Sequence, residues 1–239
     1  MHSRPRQPNQ SIERGIKCLL ELTSAEGPVS CKGMAQRLGV ERTRAARILG
    51  TLAHLGMAER LPDLRYVPGN GIHVLSALSL RRSHLLQAML PHFEALRARW
   101  GLDSVLGVLW NRHVCYLYHG LRQRELPQAL AGSVAVPAEE SSLGLVLLSH
   151  LPASELAGLM KGHLDRKALT ELKSRLRAVR QNKHVHEEAQ RFTAPLGDPP
   201  FAAVAVSGEM KGRVRQRILA HLLEVNRAVA EQLDERKQS

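Results

Sequence analysis

Arg42, Thr43, Arg44 and Arg47 carry the chemistry most readily assigned in this chain. Guanidinium groups pair bidentately with guanine edges and with phosphate oxygens, and a threonine hydroxyl adds a directed donor to the same partners. The four lie in Glu41–Leu55, where Ala45, Ile48, Leu49 and Leu52 recur at helical spacing, so a basic side opposes an apolar one. Ser30 is a good N-cap for a short helix before it, which also carries Lys32. Ala35, Leu38, Gly39 and Val40 have helix-turn-helix spacing: a small residue where helices cross, then glycine at the turn. Gly56 ends the third helix, and residues 57–67 fold back as a wing, with Pro62-Asp63 at its tip and Arg60 and Arg65 on its arms. A helix with apolar backing and a basic outer edge suits the DNA major groove, and the wing arginines suit phosphates or the minor groove. Ser30, Lys32, Arg42, Thr43, Arg44, Arg47, Arg60 and Arg65 are therefore the candidate DNA-binding residues. The competing reading is a three-helix unit whose basic face binds nothing; the adjoining wing weighs against it.

A second constellation is Ser141-Ser142-Leu143, which opens an apolar helix running to Leu151 and stopped by Pro152. The free backbone N–H groups and positive dipole end of such a helix favour an anion, while Glu139 and Glu140 just before it oppose one. His184 and His186, followed by Glu187 and Glu188, have zinc-like spacing if that stretch is a strand, as does His113 with Cys115. Ordinary strand alternation explains both, and no metal is expected. The chain has no G-x-S-x-G elbow, P-loop or dinucleotide fingerprint, so no catalytic residue, no enzymatic role and no cofactor are expected. Cys18, Cys31 and Cys115 stand far apart in sequence and odd in number, and read as reduced thiols.

The elements that must position these residues divide into two groups. A helix from Ser11 presents Ile12, Ile16, Leu19 and Leu20 inward and completes the N-terminal unit. Pro68-Gly69 breaks the chain, and residues 71–82 read as a linker helix whose Val74, Leu75 and Leu78 form an apolar stripe. Beyond it, Leu85, Met89, Phe93, Leu96 and Trp100 mark a helix. Two apolar runs around Asn111-Arg112 mark a hairpin, and Leu169, Leu172, Leu176 and Val179 mark another helix. A second pair of strand-like runs is joined at Gly197–Pro200, and a last helix runs from about Lys211 to Asp234, with Val214, Ile218, Leu222, Val225, Val229 and Leu233 on one stripe. Hairpins alternating with helices predict an antiparallel sheet covered by helices, an α+β domain. Residues 1–10, with Arg4, Arg6 and two prolines, read as a loose basic arm, either a minor-groove contact or a disordered tail.

Charge agrees with this division. The chain carries 34 Lys and Arg against 22 Asp and Glu, and residues 1–82 hold 13 of those cations against 6 of the anions. Phosphate neutralisation supplies much of DNA affinity, so DNA is expected at the N-terminal third. No segment approaches the roughly 18 apolar residues that span a bilayer, and the N-terminus lacks an apolar signal core. The expected location is the cytoplasm, with no membrane partner.

Taken along nearly its whole length, the chain resembles the IclR family of bacterial transcriptional regulators. The resemblance rests on S-I-E-R-G at 11–15, G-V-E-R-T-R-A-A-R-I-L-G-T-L at 39–52, H-L-G-M-A-E-R at 54–60 and R-Y-V-P-G at 65–69. More loosely, it rests on S-S-L-G-L-V-L-L-S-H-L-P at 141–152 and T-A-P-L-G-D-P-P-F-A-A-V-A-V-S-G at 193–208. It implies a winged helix-turn-helix domain at 11–69, a linker helix at 70–83 and a GAF-like effector-binding domain at 84–239, assembled as dimers or dimers of dimers. By the same resemblance, Ser141, Ser142 and Leu143 fall on a loop that contacts a small carboxylate-bearing effector. Arg191, Ala205 and Ser207 fall on the facing strands. Leu145 stands where the family often has lysine, Arg44 where it commonly has threonine, and the stretch between Lys183 and Arg191 looks shortened. The expected function is a DNA-binding regulator, repressor or activator, that reads an inverted-repeat operator under control of a small effector, an organic acid among the candidates. The alternatives are a ligand-independent repressor with a vestigial sensor domain and a GAF-like domain retaining enzymatic chemistry.

Overall fold

The computed structural model describes residues 7–120, 135–182, 185–187, 191–210 and 212–238. Arg4, Arg6, His184 and Glu188 lie outside the described residues, and with them most of the basic arm and half of the histidine pair. The chain divides into two compact units, residues 1–83 and 84–239.

The first unit is built on α1 (Gln10–Thr23), α2 (Cys31–Leu38), α3 (Arg42–His54) and a two-stranded wing, β1 (Ala58–Arg60) with β2 (Tyr66–Pro68). Asn9 caps α1: its side-chain oxygen accepts from the N–H groups of Ser11 and Ile12 at 3.0 and 3.3 Å. The inward face of α1 also differs from the sequence expectation. Ile12 and Ile16 are 64% and 50% exposed, while Cys18 and Leu22 are buried, with Leu19 packed beside them. The inner stripe runs through Cys18 because a reduced cysteine behaves as a small hydrophobe. Cys18 and Cys31 are remote in sequence, yet both belong to this core. Burial first, and then Cys31 and Glu21 nearby, push the Cys18 thiol up to about 11. Between α2 and α3, Gly39 takes a left-handed conformation at φ 62° that lets the Val40 N–H reach the Ala35 carbonyl at 3.0 Å. After the wing comes α4 (Asn70–Arg81), which has no buried residue.

The second unit comprises α5 (His84–Trp100), β3 (Asp103–Trp110), β4 (His113–Gly120), β5 (Ala135–Pro137), a single 3₁₀ turn (Ala138–Glu140), α6 (Ser142–Ser149), α7 (Ala153–Met160), α8 (Arg166–Asn182), β6 (Val185–Glu187), β7 (Arg191–Gly197), β8 (Pro200–Ser207) and α9 (Gly212–Gln238). Its strands form one antiparallel sheet in the order β5-β4-β3-β8-β7-β6. The period of two splits β8 cleanly. Ala202, Val204 and Val206 face α5 and α9, together with Phe93, Phe192, Ile218 and Leu222. Ala203 and Ala205 face α6, α7 and α8, together with Leu143, Leu148, Leu172 and Leu176. A sheet covered on both faces explains why β8 reads as an unbroken apolar run. Val214, expected on the inner stripe of α9, is instead 43% exposed, because the stripe meets the sheet only from Ile218 onward. Strands β5 and β6 and helix α7 are too short to leave a periodic signal in the sequence. Among the described residues no helix is long and apolar enough to cross a membrane, and no group of three or more His, Cys, Asp or Glu could hold a metal ion.

Candidate functional site

Helix α3 buries Ala45, Leu49 and Leu52 against α1 and α2 and turns Arg42, Thr43, Arg44 and Arg47 to solvent. Thr51 on the same helix is tied to the Arg47 carbonyl at 2.9 Å. None of the three arginines has an ion-pair partner among the described residues, so their charge is available to an external anion. The structure adds one residue that sequence reasoning missed: Arg14 on α1. Together with Ser11, Arg44, Arg47 and Thr51 it lines a cleft between α1 and α3. Its signal was available as a cation on the polar side of α1, but only the crossing of α1 over α3 brings it to the same surface.

The other N-terminal candidates have mixed surroundings. The Ser30 hydroxyl accepts from the Gly33 N–H at 3.1 Å as the cap of α2, and Lys32 is exposed beside it. At the wing tip, Leu64 at φ 64° closes a turn from Leu61. Arg60 is exposed, but Arg65 is held by Asp63, whose carboxylate accepts from Nε at 2.7 Å. The Arg65 side-chain hydrogen bond holds the Asp63 carboxyl below its ordinary range. Asp63 thus competes with phosphate for Arg65 and adds a negative charge of its own. Asp63→Asn is expected to tighten DNA binding about two- to threefold, the scale of one exposed ion pair, in a titration at low salt. Unchanged or weaker binding would place Arg65 away from DNA.

In the second unit the sequence-assigned positions converge on one face of the sheet. Arg191 is the register partner of Ser207, and Thr193 that of Ala205. Strand alternation puts all four on the side that faces α6. Ser141, Ser142 and Leu143 are buried there. The helix they open has no side-chain cap at Ser141. A buried N-terminus without a side-chain cap leaves first-turn N–H groups to be satisfied by something else. The Thr193 hydroxyl donates to the Ser142 hydroxyl at 3.0 Å; Thr193 was not among the sequence candidates. Arg191 is exposed. Glu139, read from sequence as a charge that repels an anionic ligand, is paired: Arg112 reaches its Oε1 at 2.6 Å with both side chains largely buried. The β3–β4 turn, with Asn111 at φ 52°, brings Arg112 there, which sequence spacing does not reveal. Glu140 is exposed.

Residues 11–62 match the IclR helix-turn-helix domain. Residues 11–62 therefore form a helix-turn-helix domain of the IclR type. Solved IclR structures share the fold over nearly the whole chain. An IclR-family transcriptional regulator from Brucella abortus is 17% identical with a TM-score of 0.76, covering 97% of this chain and 95% of that one. An IclR regulator from Alicyclobacillus acidocaldarius is 18% identical with a TM-score of 0.68, covering 94% and 99%. An IclR homologue from Microbacterium hydrocarbonoxydans, complexed with 4-hydroxybenzoate, is 20% identical with a TM-score of 0.62, covering 94% and 99%. No curated protein matches the chain in sequence. The IclR domain match spans α1 to the start of the wing tip and so includes Arg14, Arg42, Thr43, Arg44, Arg47 and Arg60.

Proposed function

We propose that this chain is an IclR-family transcriptional regulator, that it binds an inverted-repeat operator as a homodimer or dimer of dimers, and that a small organic acid bound in residues 84–239 changes that binding. The observation that carries effector control is the buried N-terminus of α6, which the Ser141 side chain does not cap, facing Thr193 and Ala205 of the sheet. Such a helix end suits a carboxylate, and Arg191 and Ser207 lie on the same face. That an IclR homologue of the same fold is complexed with 4-hydroxybenzoate supports a carboxylate-bearing class. Control requires that the effector bind two arrangements of the protein with unequal affinity, since equal affinity shifts nothing. The reading assigns the chain no catalytic step.

The test is a thermal-shift screen of small organic acids, including hydroxybenzoates. An effector at 100 times its dissociation constant adds about 2.7 kcal/mol of stability. Ser142→Trp, at this buried helix start, is expected to lower the effector-free melting midpoint and to abolish the further shift that effector adds. If the shift survives both that substitution and Arg191→Ala, the effector sits elsewhere. If no compound shifts the melt and operator affinity is constant, the sensor is vestigial. The use of the Ser142 hydroxyl by Thr193 and the presence of Leu145 in the family's lysine position favour that second reading.

Assembly is supported by exposed apolar surface. Val74, Leu75, Leu78 and Leu80 on α4 are 48–56% exposed, a run that isolated helices do not keep in water without a partner. One winged-helix head contacts too few base pairs to single out a genomic site, and two-fold pairing supplies the missing specificity. Leu75→Glu with Leu78→Glu is expected to convert the protein to a monomer by light scattering at micromolar concentration. A wild-type monomer that binds a half-site at full affinity would overturn the dimer.

A further inference from the structure

Helix α8 carries a charge pattern that neither the operator contacts nor the effector site uses. Residues 84–239 hold 21 Lys and Arg against 16 Asp and Glu. Six of those cations and only one of the anions, Glu171, lie on α8, so the rest of the unit is balanced at fifteen of each. The entire positive excess of this unit resides on one helix.

The cations are also ordered. Arg166, Lys173, Arg177 and Arg180 stand at intervals of seven, four and three residues. At about 100° per residue this places them within a sector of about 60°, and at 1.5 Å rise per residue they extend over about 21 Å. Leu172, Leu176 and Val179 hold the adjacent flank against the core beside α6. Glu171 falls on the other flank, more than about 100° from the line. Arg175 is also off the line and donates to the Glu139 carbonyl at 3.4 Å, and Asp165 is engaged as the cap of α8, accepting from the Ala168 N–H at 2.7 Å. Arg166, Arg177 and Arg180 are exposed and Lys173 half-buried, and none of the four charged side chains has a hydrogen-bond or ion-pair partner among the described residues. An unneutralised line of like charges costs self-repulsion, which an external polyanion relieves.

We infer that the Arg166–Lys173–Arg177–Arg180 line is a second, sequence-independent contact for the DNA phosphate backbone, on the effector-binding unit rather than the winged helix. The alternative polyanion, an acidic protein surface, fits less well. Protein interfaces need buried apolar or aromatic anchors, and none of the exposed large apolar side chains of the described residues lies on α8. Phosphate contacts need only charge and reach. Because the first unit already holds DNA, a contact from the second is intramolecular and gains from a high effective concentration.

The test uses the full-length protein, a mixed-sequence duplex several helical turns long, and fluorescence anisotropy across about 50–200 mM KCl. Each phosphate neutralised contributes about 0.9 to the slope of log affinity against log salt. The Arg166→Gln, Lys173→Gln, Arg177→Gln, Arg180→Gln variant is expected to keep the wild-type melting midpoint, to show a slope shallower by about 3.6 per protomer, and to bind at least about tenfold more weakly at 100 mM. A charge-preserving variant, Arg166→Lys with Arg177→Lys and Arg180→Lys, is expected to behave as wild type. A glutamine variant with wild-type slope and affinity overturns the proposal, as does a lysine variant that loses as much as the glutamine one. If labelled poly-L-glutamate binds the wild type as tightly as duplex and is lost in the glutamine variant, the line is a protein-docking surface and the DNA assignment fails. A wild type that binds no duplex overturns both this contact and the DNA-binding reading. A wild type that binds, with an unchanged glutamine variant, overturns this contact alone.

Discussion

Replacing Arg44 and Arg47 together by alanine is expected to abolish operator recognition, and each single replacement to weaken it by at least about tenfold. A bidentate guanidinium–base contact is worth about 1–3 kcal/mol. Both side chains stand exposed on the outer face of α3 without an ion pair among the described residues. Their backing residues, Ala45 and Leu49, are 0% exposed, so truncation to alanine removes the contact without disturbing the core. The measurement is affinity for an operator selected from genomic fragments, with a scrambled duplex as reference. Loss on the operator and little change on the scrambled duplex identifies base contacts. Equal loss on both identifies phosphate contacts. Unchanged operator affinity in both single variants would remove α3 from the interface. Arg14→Ala, at the same cleft, is expected to lower both affinities together.

The second large effect is on stability. Gly144 in α6 lies so close to the 3₁₀ turn that an added Cβ would stand 2.1 Å from the Ala138 carbonyl oxygen and 2.5 Å from its Cα. The obstructing atoms are backbone, so no side chain can swing aside. Overpacking a closed core costs about 1–3 kcal/mol, and more where the backbone must move. Gly144→Ala is therefore expected to cost about 3 kcal/mol, a fall of about 6–12 °C in the melting midpoint for a unit of this size. It should also shift the Ser141–Leu143 segment and so blunt any effector response. Gly158, on α7, is the internal control, because an added Cβ there meets nothing within 4 Å. Gly158→Ala is expected to leave the midpoint unchanged or to raise it by up to about 1 kcal/mol in stability through helix propensity. Equal midpoints for the two variants would show that α6 is not clamped against the turn.

The two effects separate the molecule's tasks. The α3 surface is exposed and tolerant, and its substitutions read out on DNA. The α6 start is buried and intolerant, and its substitutions read out on stability before they read out on ligand. A charge change on the α8 line is expected to read out on neither melting nor sequence preference, only on DNA affinity and its salt dependence.

Local chemistry made much of this legible in the sequence. The left-handed turn needed Gly39, Ser30 was a cap, and the alternation of β8 and the 3.6-residue stripes of α3, α5 and α8 each announced an element through spacing alone. The IclR resemblance rested on those same short-range patterns, and it held for the helix-turn-helix domain. Features set by packing between distant segments were not legible. Which face of α1 is inside depended on Cys18 meeting α2, so Ile12 and Ile16 were assigned inward and are exposed. The charge of Glu139 read as repulsive until the β3–β4 turn delivered Arg112 to it. Arg14 joined Arg44 and Arg47 only where α1 crosses α3, and Thr193 met Ser142 only through the position of α6 on the sheet. Sequence periodicity determines which residues share a face of one element, because that geometry repeats over a few residues. Which faces meet, and which charges thereby find partners, is decided by the tertiary structure, because it joins side chains separated by tens of residues whose spacing encodes nothing about their contact.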